Sequence, residues 1–357
     1  MLKVIEFLKE HTLEDLHIKY AIDIKRHGRY NNLVLLKYNA IDSPMGEEIV
    51  QECRGLILDE NKDWEIVSCP YFKFFNYGER ESEKNIDWTT AKVYEKIDGS
   101  LMTLYWYDNE WQVSSSGMPD AQGEVSDFGF TFEKLFWDVW EELGYILPKD
   151  TSKCYMFELM TPYNRIVVQH KKNSIVLHGV RDLKTLKELD PYFIALKHEW
   201  QCVCTFSLRN LDEILTVCKE LNPIESEGYV VCDANFNRIK VKSPQYVALA
   251  HIKDGMSVKR ILEIIRANES DEFLNYFPEF KDLYRDIKLK YDNFVSEMEK
   301  FYSKIKDIQD QKSFALEAVK SKYPAVLFFL KKNPESTVKQ YLSQSNVNHF
   351  MERLELR

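Results

Sequence analysis

The chain has 357 residues, beyond the size at which a single hydrophobic core usually keeps growing, so two domains are expected. Hydrophobic residues at 45% and charged residues at 29%, with only 12 Gly and 11 Pro, exclude a disordered or collagen-like polymer. With a formal net charge of −9 the molecule as a whole repels polyanions, so any nucleic-acid site must be a local basic groove whose binding weakens steeply with salt.

The opening segment, MLKVIEFLKEHTLEDLHIKY, has helical apolar spacing with acidic residues throughout, unlike a signal peptide. From about residue 30 to 245, short alternating runs bounded by turn residues predict strands: NLVLLKY, GLILD, AKVYEKI, LMTLYWY, WQVSSS, CYMFELM, NRIVVQH, SIVLHGV, EGYVVCD and NRIKVKS. YDNEW and CDANFN read as hairpin tips, because Asp and Asn tolerate turn geometry. Helical patterns interrupt the strands at 129–144 and from Leu211, the second with acidic residues in its first turn. The body is therefore expected to be antiparallel α+β.

Beyond about residue 250 the character changes to an all-α pattern. Phe280, Leu283, Tyr284, Ile287, Tyr291, Phe294, Met298, Phe301, Tyr302 and Ile305 recur at steps of three and four, one apolar stripe on a long helix. VKRILEIIR, SFALEAVKS, ESTVKQYL and NHFMERLEL continue in the same style. The expected domains are 1–247 and 248–357. The run YPAVLFFL is too short to cross a bilayer, and seven cysteines with no C-x-x-C pair argue against a disulfide framework or a zinc ribbon. A cytoplasmic protein without a membrane partner is expected.

One stretch, VYEKIDGSLMTLYW, carries a lysine that strand alternation does not explain. Alone, Lys96 reads as a solvated strand residue beside an Asp-Gly hairpin turn. Its companions are ECRGLILDE and PYFKFFN upstream, and YMFELMTPYNRIVV and EGYVVCDANFNRIKVKSPQY downstream. Each contains a charged residue with an ordinary surface explanation taken singly. Lys240 and Lys242, however, flank Val241, so both ammoniums project from one strand face while Ile239 and Val241 pack on the other. Two such charges call for an anion between them, and a polyphosphate supplies one. Glu158 and Glu227 add carboxylates able to receive ribose hydroxyls or hold a hydrated metal ion.

Taken together, EKIDGS resembles the K-x-D-G nucleotidyl-acceptor motif of covalent nucleotidyltransferases, the superfamily of polynucleotide ligases and messenger-RNA capping enzymes. With ECRG, KFFN, FELMTPYNRIVV, EGYVV and KVKS in that order, from about Tyr38 to Tyr246, the chain resembles the phage-type RNA ligase 1 family. The resemblance implies a nucleotidyltransferase catalytic domain over 1–247 and a helical domain over 248–357 that favours structured RNA. It implies that Lys96 attacks the α-phosphate of ATP, releasing pyrophosphate and keeping AMP through a P–N bond. AMP then passes to an RNA 5′-phosphate and a 3′-OH displaces it, as in repair of a tRNA nicked in its anticodon loop. A neutral amine is required: at an ordinary pKa only about 0.04% of a lysine is neutral at pH 7, and a pKa near 8 would raise that to about 10%. By the same similarity, Arg54, Lys73, Lys240 and Lys242 contact phosphates, Phe75 packs at the nucleoside with Tyr38 nearby, and Gly99 belongs to the nucleotide site. Glu158 holds the ribose. Asp98, Glu158 and Glu227 orient the waters of a catalytic Mg²⁺, for which Mn²⁺ can substitute, and Asp271 helps hold a second metal.

One departure stands out. Relatives tend to carry a lysine after the nucleophile hairpin, where this chain has Ser115 and Ser116 ahead of Gly117. The competing expectations are a capping enzyme or DNA ligase-type nucleotidyltransferase, whose second domain would be a β-barrel rather than helical, and a catalytically silent RNA-binding relative.

Overall fold

Apolar runs long enough to bury both faces set the centre of the fold. A computed structural model describes the chain except residues 127, 253–256, 269, 277–279, 346, 348–350, 352 and 355–357; of 251, 252, 272, 275 and 276 it describes the backbone alone. It divides into two compact units, residues 1–39 with 43–250, and 40–42 with 251–357.

In the first unit, a four-stranded antiparallel sheet runs in the order β1 (Ile22–Arg26), β2 (Leu33–Tyr38), β3 (Arg54–Asp59) and β4 (Glu65–Ser68). Val34, Leu36, Leu56 and Leu58 face the short helices α1 (Lys3–Leu8), α2 (Leu13–Tyr20) and α3 (Glu48–Glu52). Leu33, Leu35 and Ile57 point the other way, against Tyr105, Cys154 and Met156. This double burial is why NLVLLKY is a nearly unbroken apolar run.

A third sheet shapes the site. Its order is β13 (Thr205–Phe206), β6 (Lys92–Lys96), β14 (Gly228–Cys232), β15 (Arg238–Lys242) and β5 (Phe75–Asn76), with only the β15–β5 pair parallel. Val93, Val231, Ile239 and Val241 bury one face against α6 (Leu211–Cys218), whose Asn210 side chain caps its first turn. By alternation Tyr94, Lys96, Lys240 and Lys242 occupy the opposite face. The remaining sheet is ordered β11 (Glu188–Leu189), β10 (Ser174–Asp182), β9 (Lys153–Met160), β7 (Ser100–Tyr107) and β8 (Glu110–Ser115), with β12 (Gln201–Cys202) added parallel to β10. Phe157, Leu159, Ile175 and Leu177 pack on α4 (Phe132–Glu142), and Ala195 of α5 (Pro191–His198) joins them. Asp108 and Asn109, both at positive φ, close the β7–β8 hairpin, as YDNEW predicts.

Two expectations require correction. The turn after Lys96 is no hairpin: β6 pairs with β13 and β14, whereas β7 pairs with β8 and β9, so Ile97–Gly99 carries the chain from one sheet into another. NRIVVQH is a loop, because the N–H groups of Val167 and Val168 donate to the Asp98 carboxylate instead of to a strand.

The second unit is built on helices: α7 (Pro244–Ile252) begins in the first unit and is followed by α8 (Val258–Ala267), α9 (Ser270–Tyr276), α10 (Lys281–Ile305), α11 (Gln311–Ala318), α12 (Pro324–Lys332) and α13 (Val338–Gln344). Ile287, Tyr291, Phe294 and Met298 of α10 share one core with Leu262, Phe314, Leu327 and Leu342. The predicted segment NHFMERLEL falls mostly on residues outside the described ones. The basic run VKRILEIIR is partly consumed by packing, since Arg266 donates to the carbonyls of Leu342 and Ser345. None of the described helices is long and apolar enough to cross a membrane, and all seven cysteines are free thiols.

Candidate active site

Lys96 ends β6 opposite Gly228 of β14, and Gly228 in turn lies opposite Lys242 of β15. A residue with a side chain could not serve at 228: φ is +144°, and a Cβ there would sit 2.2 Å from the Val241 carbonyl oxygen. That close approach brings Glu227 between the two lysines. Lys96 Nζ donates to Glu227 Oε2 at 2.6 Å, and Lys242 Nζ lies 3.7 Å from Oε1. The Lys96 side chain is 20% exposed and that of Glu227 6%, so the pair is shielded from bulk screening yet open on one side.

Beyond Lys96 lies a cleft of about 420 Å³ between the third sheet and the sheet that holds β9. Arg54, Phe74, Gly99, Glu158, His178 and Lys240 line it together with Lys96. Loss of solvation and the charges of Arg54, Lys73, Lys96 and Lys242 hold the Lys240 ammonium well below its ordinary pKa. Two cations approach the Phe74 ring, Lys240 Nζ at 4.8 Å and the Arg54 guanidinium at 5.2 Å from its centre. Arg54 Nη1 is buried with no hydrogen-bond partner, a donor that an anion in the cleft would satisfy.

Gly99 and Glu158 form the opposite wall. A Cβ on Gly99 would lie 2.5 Å from the Leu159 carbonyl oxygen, so only glycine lets the crossing chain lie this close to β9. The Glu158 carboxylate is 3.4 Å from His178 Nε2. His178 Nδ1 is 3.0 Å from the Tyr71 hydroxyl, which donates to the His178 carbonyl at 2.7 Å. Burial pushes that phenol far above its usual pKa, so it stays a donor. Arg238 stacks on the Tyr71 ring at 4.4 Å and binds Glu188 with both nitrogens, at 2.6 and 3.0 Å. Sequence reasoning missed Tyr71, His178, Glu188 and Arg238, which buttress Glu158 from behind. Arg238 opens the KVKS strand, but its role depends on a partner 50 residues away.

Other expected residues fall differently. Phe74, not Phe75, is the aromatic of KFFN on the cleft wall: consecutive residues of an extended chain face opposite ways, and Phe75 packs toward the first sheet. Tyr38, Lys73 and Phe75 form a group of their own, with Lys73 Nζ 5.3 Å from the Tyr38 ring centre and 5.2 Å from that of Phe75. Asp98 is 3% exposed and accepts from the N–H groups of Val167 and Val168 and from the Tyr246 hydroxyl at 2.9, 2.7 and 2.9 Å. Three of its four lone-pair positions are thus filled by protein, so it anchors the crossing. Ser116 lines the cleft while Ser115 Oγ caps the turn at Met118, and a cation does reach this place from β2: Lys37 Nζ lies 3.2 Å from where a Gly117 Cβ would stand. Asp271 is an exposed residue of α9 in the second unit. Among the described residues no three Asp, Glu, His or Cys side chains converge to hold a metal directly. Glu158 is the site carboxylate that fits a hydrated ion, because Glu227 is engaged by two lysines.

A basic cleft closed around one lysine, with a glutamate across the strand from it, is the arrangement of a nucleotidyl-transferring enzyme. The sequence model of the RNA ligase family matches residues 52–246, more than half of the chain and every residue of the cleft just described, and the chain belongs to that family. RNA is accordingly its substrate class. Rhodothermus phage RM378 RNA ligase is 26% identical over 325 residues, covering 73% of this chain and 74% of that protein. A putative bifunctional polynucleotide kinase/RNA ligase of Autographa californica nuclear polyhedrosis virus is 27% identical over 307 residues, covering 79% of this chain but only 43% of that longer protein. Among solved structures, a putative ATP-dependent DNA ligase from Aquifex aeolicus aligns over 83% of this chain and 80% of its own at 14% identity and TM-score 0.46. Naegleria gruberi RNA ligase with pyrophosphate aligns over 50% of this chain and 56% of its own, at 16% identity and TM-score 0.37.

Proposed function

We propose that the chain joins RNA 5′-phosphate and 3′-OH ends with ATP, through AMP carried on Lys96. The supporting observation is the placement of Lys96 Nζ, 2.6 Å from Glu227 at the edge of a cleft where Arg54 and Lys240 converge. A proton leaves Nζ first, and Glu227 Oε2 is the acceptor in contact. The amine then attacks the α-phosphorus of ATP. The N–P bond forms, the bond from that phosphorus to the bridging oxygen breaks, and pyrophosphate leaves with the electron pair.

Arg54, Lys240 and Lys242 stabilise the charge that gathers on the phosphates, and Arg54 Nη1 gains the acceptor it lacks. A divalent ion, Mg²⁺ or Mn²⁺, would ride on the triphosphate and neutralise its oxygens, with Glu158 orienting the ion's waters. Glu158 would also receive a ribose hydroxyl, with Tyr71 and His178 fixing its position. The RNA 5′-phosphate next attacks the AMP phosphorus and frees Nζ. The 3′-OH then attacks the activated RNA phosphate and AMP departs. Residues 1–247 would carry this chemistry, and 248–357 would favour structured RNA such as a tRNA nicked in its anticodon loop.

The test is a pulse of α-labelled ATP with Mg²⁺, followed by RNA carrying a 5′-phosphate. Label should bind the protein through an acid-labile, alkali-stable bond and then move to the RNA. Undiminished labelling of Lys96→Ala, or label that never leaves for RNA, contradicts the reading. GTP offered in parallel identifies a capping enzyme, and a nicked tRNA stem-loop compared with unstructured RNA tests the preference for structure.

A further inference from the structure

The loop 161–173, TPYNRIVVQHKKN, contains Arg165, His170, Lys171 and Lys172 and no acidic residue, on a chain whose net charge is −9. It is built rigidly onto the crossing that follows Lys96. Val167 and Val168 donate to the Asp98 carboxylate, and His170 Nε2 donates to the Asp98 carbonyl at 2.5 Å. Asn164 donates to Ser100 Oγ at 2.9 Å and to the Leu159 carbonyl at 2.8 Å, and Gln169 N–H reaches the Ile224 carbonyl at 3.0 Å. These bonds leave Arg165, Lys171 and Lys172 exposed, and none of the three forms an ion pair among the described residues.

The same loop borders a second cavity of about 410 Å³, lined by His170, Lys171 and Lys172 together with Glu95, Lys96, Glu225 and Glu227. Lys96 borders both this cavity and the cleft, so the loop leads to the reactive amine by a separate approach. At the outer end of the loop, Tyr163 meets the rings of Phe128 and Phe130 edge-on, at 5.2 and 5.5 Å, while remaining 43% exposed itself.

We propose that loop 161–173 is the seat of the single-stranded RNA end, with Arg165, Lys171 and Lys172 on successive phosphates and Tyr163 against a base. Cations along a wall track a phosphate backbone, and an exposed ring supplies a sequence-tolerant stacking face. The inference rests on the reading of the chain as an RNA-joining enzyme and deepens it by naming where the RNA lies.

The test measures binding of a 5′-phosphorylated RNA oligonucleotide to the full chain as a function of salt. For the double variant Lys171→Ala with Lys172→Ala, affinity at low salt should fall about tenfold, and the slope of log affinity against log salt should shrink by about 1.4. Adding Arg165→Ala should bring the reduction to about 2. Because Arg165 also bonds the Val167 carbonyl, the double variant stands alone if the triple one unfolds. Tyr163→Ala should weaken binding and leave the slope in place.

An unchanged affinity and slope overturns the proposal. So does an equal loss from the control set Lys184→Ala, Lys187→Ala and Lys197→Ala on another face. Loss of binding to inorganic pyrophosphate with RNA binding intact would instead assign the cations to nucleotide phosphates and overturns it too. ATP labelling on the same samples separates the two readings. Wild-type protein that binds RNA through the loop but takes no label contradicts the proposed reaction alone, and protein that takes label while the double variant binds RNA normally contradicts the loop alone.

Discussion

Arg54, Lys73, Lys96 and Lys242 all press on Lys240, and with loss of solvation they weaken its hold on a proton. The folded state then binds fewer protons than the unfolded one between the depressed pKa and the ordinary lysine value, so this group's contribution to stability rises with pH across that window. A polyphosphate in the cleft reverses the balance by favouring the charged amine. At a pH inside that window nucleotide binding should therefore take up protons, seen as a buffer-dependent enthalpy in titration calorimetry; enthalpies identical across buffers throughout the range would contradict this. Lys240→Met should raise the melting temperature of the free protein while lowering self-adenylylation by about 100-fold or more. At Gly228, replacement by Ala forces a Cβ against the Val241 carbonyl at a φ of +144°, which should cost about 2 kcal/mol or more in urea unfolding and reduce labelling by displacing Glu227.

At the scale of the element, the crossing Ile97–Gly99 and the loop 161–173 act as one piece joined at Asp98. Asp98→Ala would strand two backbone N–H groups and the Tyr246 hydroxyl, a loss of about 3 kcal/mol or more unless water enters. Urea unfolding measures it, and a change below about 1 kcal/mol would show that Asp98 is no anchor. The sequence pattern shows the strands that flank this piece, because β6 and β15 alternate apolar core residues with charged ones and β14 is an apolar run bounded by Gly228 and the turn at Asp233. It also places Lys96, Lys240 and Lys242 on β6 and β15, since side-chain direction in a strand follows from counting by two, whereas Glu227 precedes β14 and is turned toward Lys96 by the backbone at Gly228. It does not show that IVV is a loop: an apolar run looks the same whether its N–H groups serve a neighbouring strand or a carboxylate 69 residues earlier. Nor does it show which ring of KFFN lines the cleft, as both are Phe and only the register of a two-residue strand, β5, decides that. Tyr71, His178, Arg238 and Glu188 stayed hidden because their meaning lies wholly in long-range pairing.

For the whole molecule, each unit carries its own core, the first around its sheets and the second around α10. A chain ending after Ala250 should fold and still take label from ATP, while losing efficiency on a nicked tRNA stem-loop. Failure of that fragment to fold, judged by a non-cooperative melt, would contradict the independence of the cores. The change from alternating to helical periodicity near residue 250 makes this division visible in the sequence, since the two patterns differ in period. The assignment of residues 40–42 to the second unit carries no such signal.

The central claim is that AMP becomes bonded to one particular amine. After incubation with ATP and Mg²⁺, digestion and peptide mass spectrometry should find the adenylyl group on the peptide spanning VYEKIDGSLM, with fragment ions placing it on Lys96 and no modification at Lys92, Lys240 or Lys242. Adenylylation of any other lysine, or unmodified Lys96 in protein that seals RNA, would contradict the account.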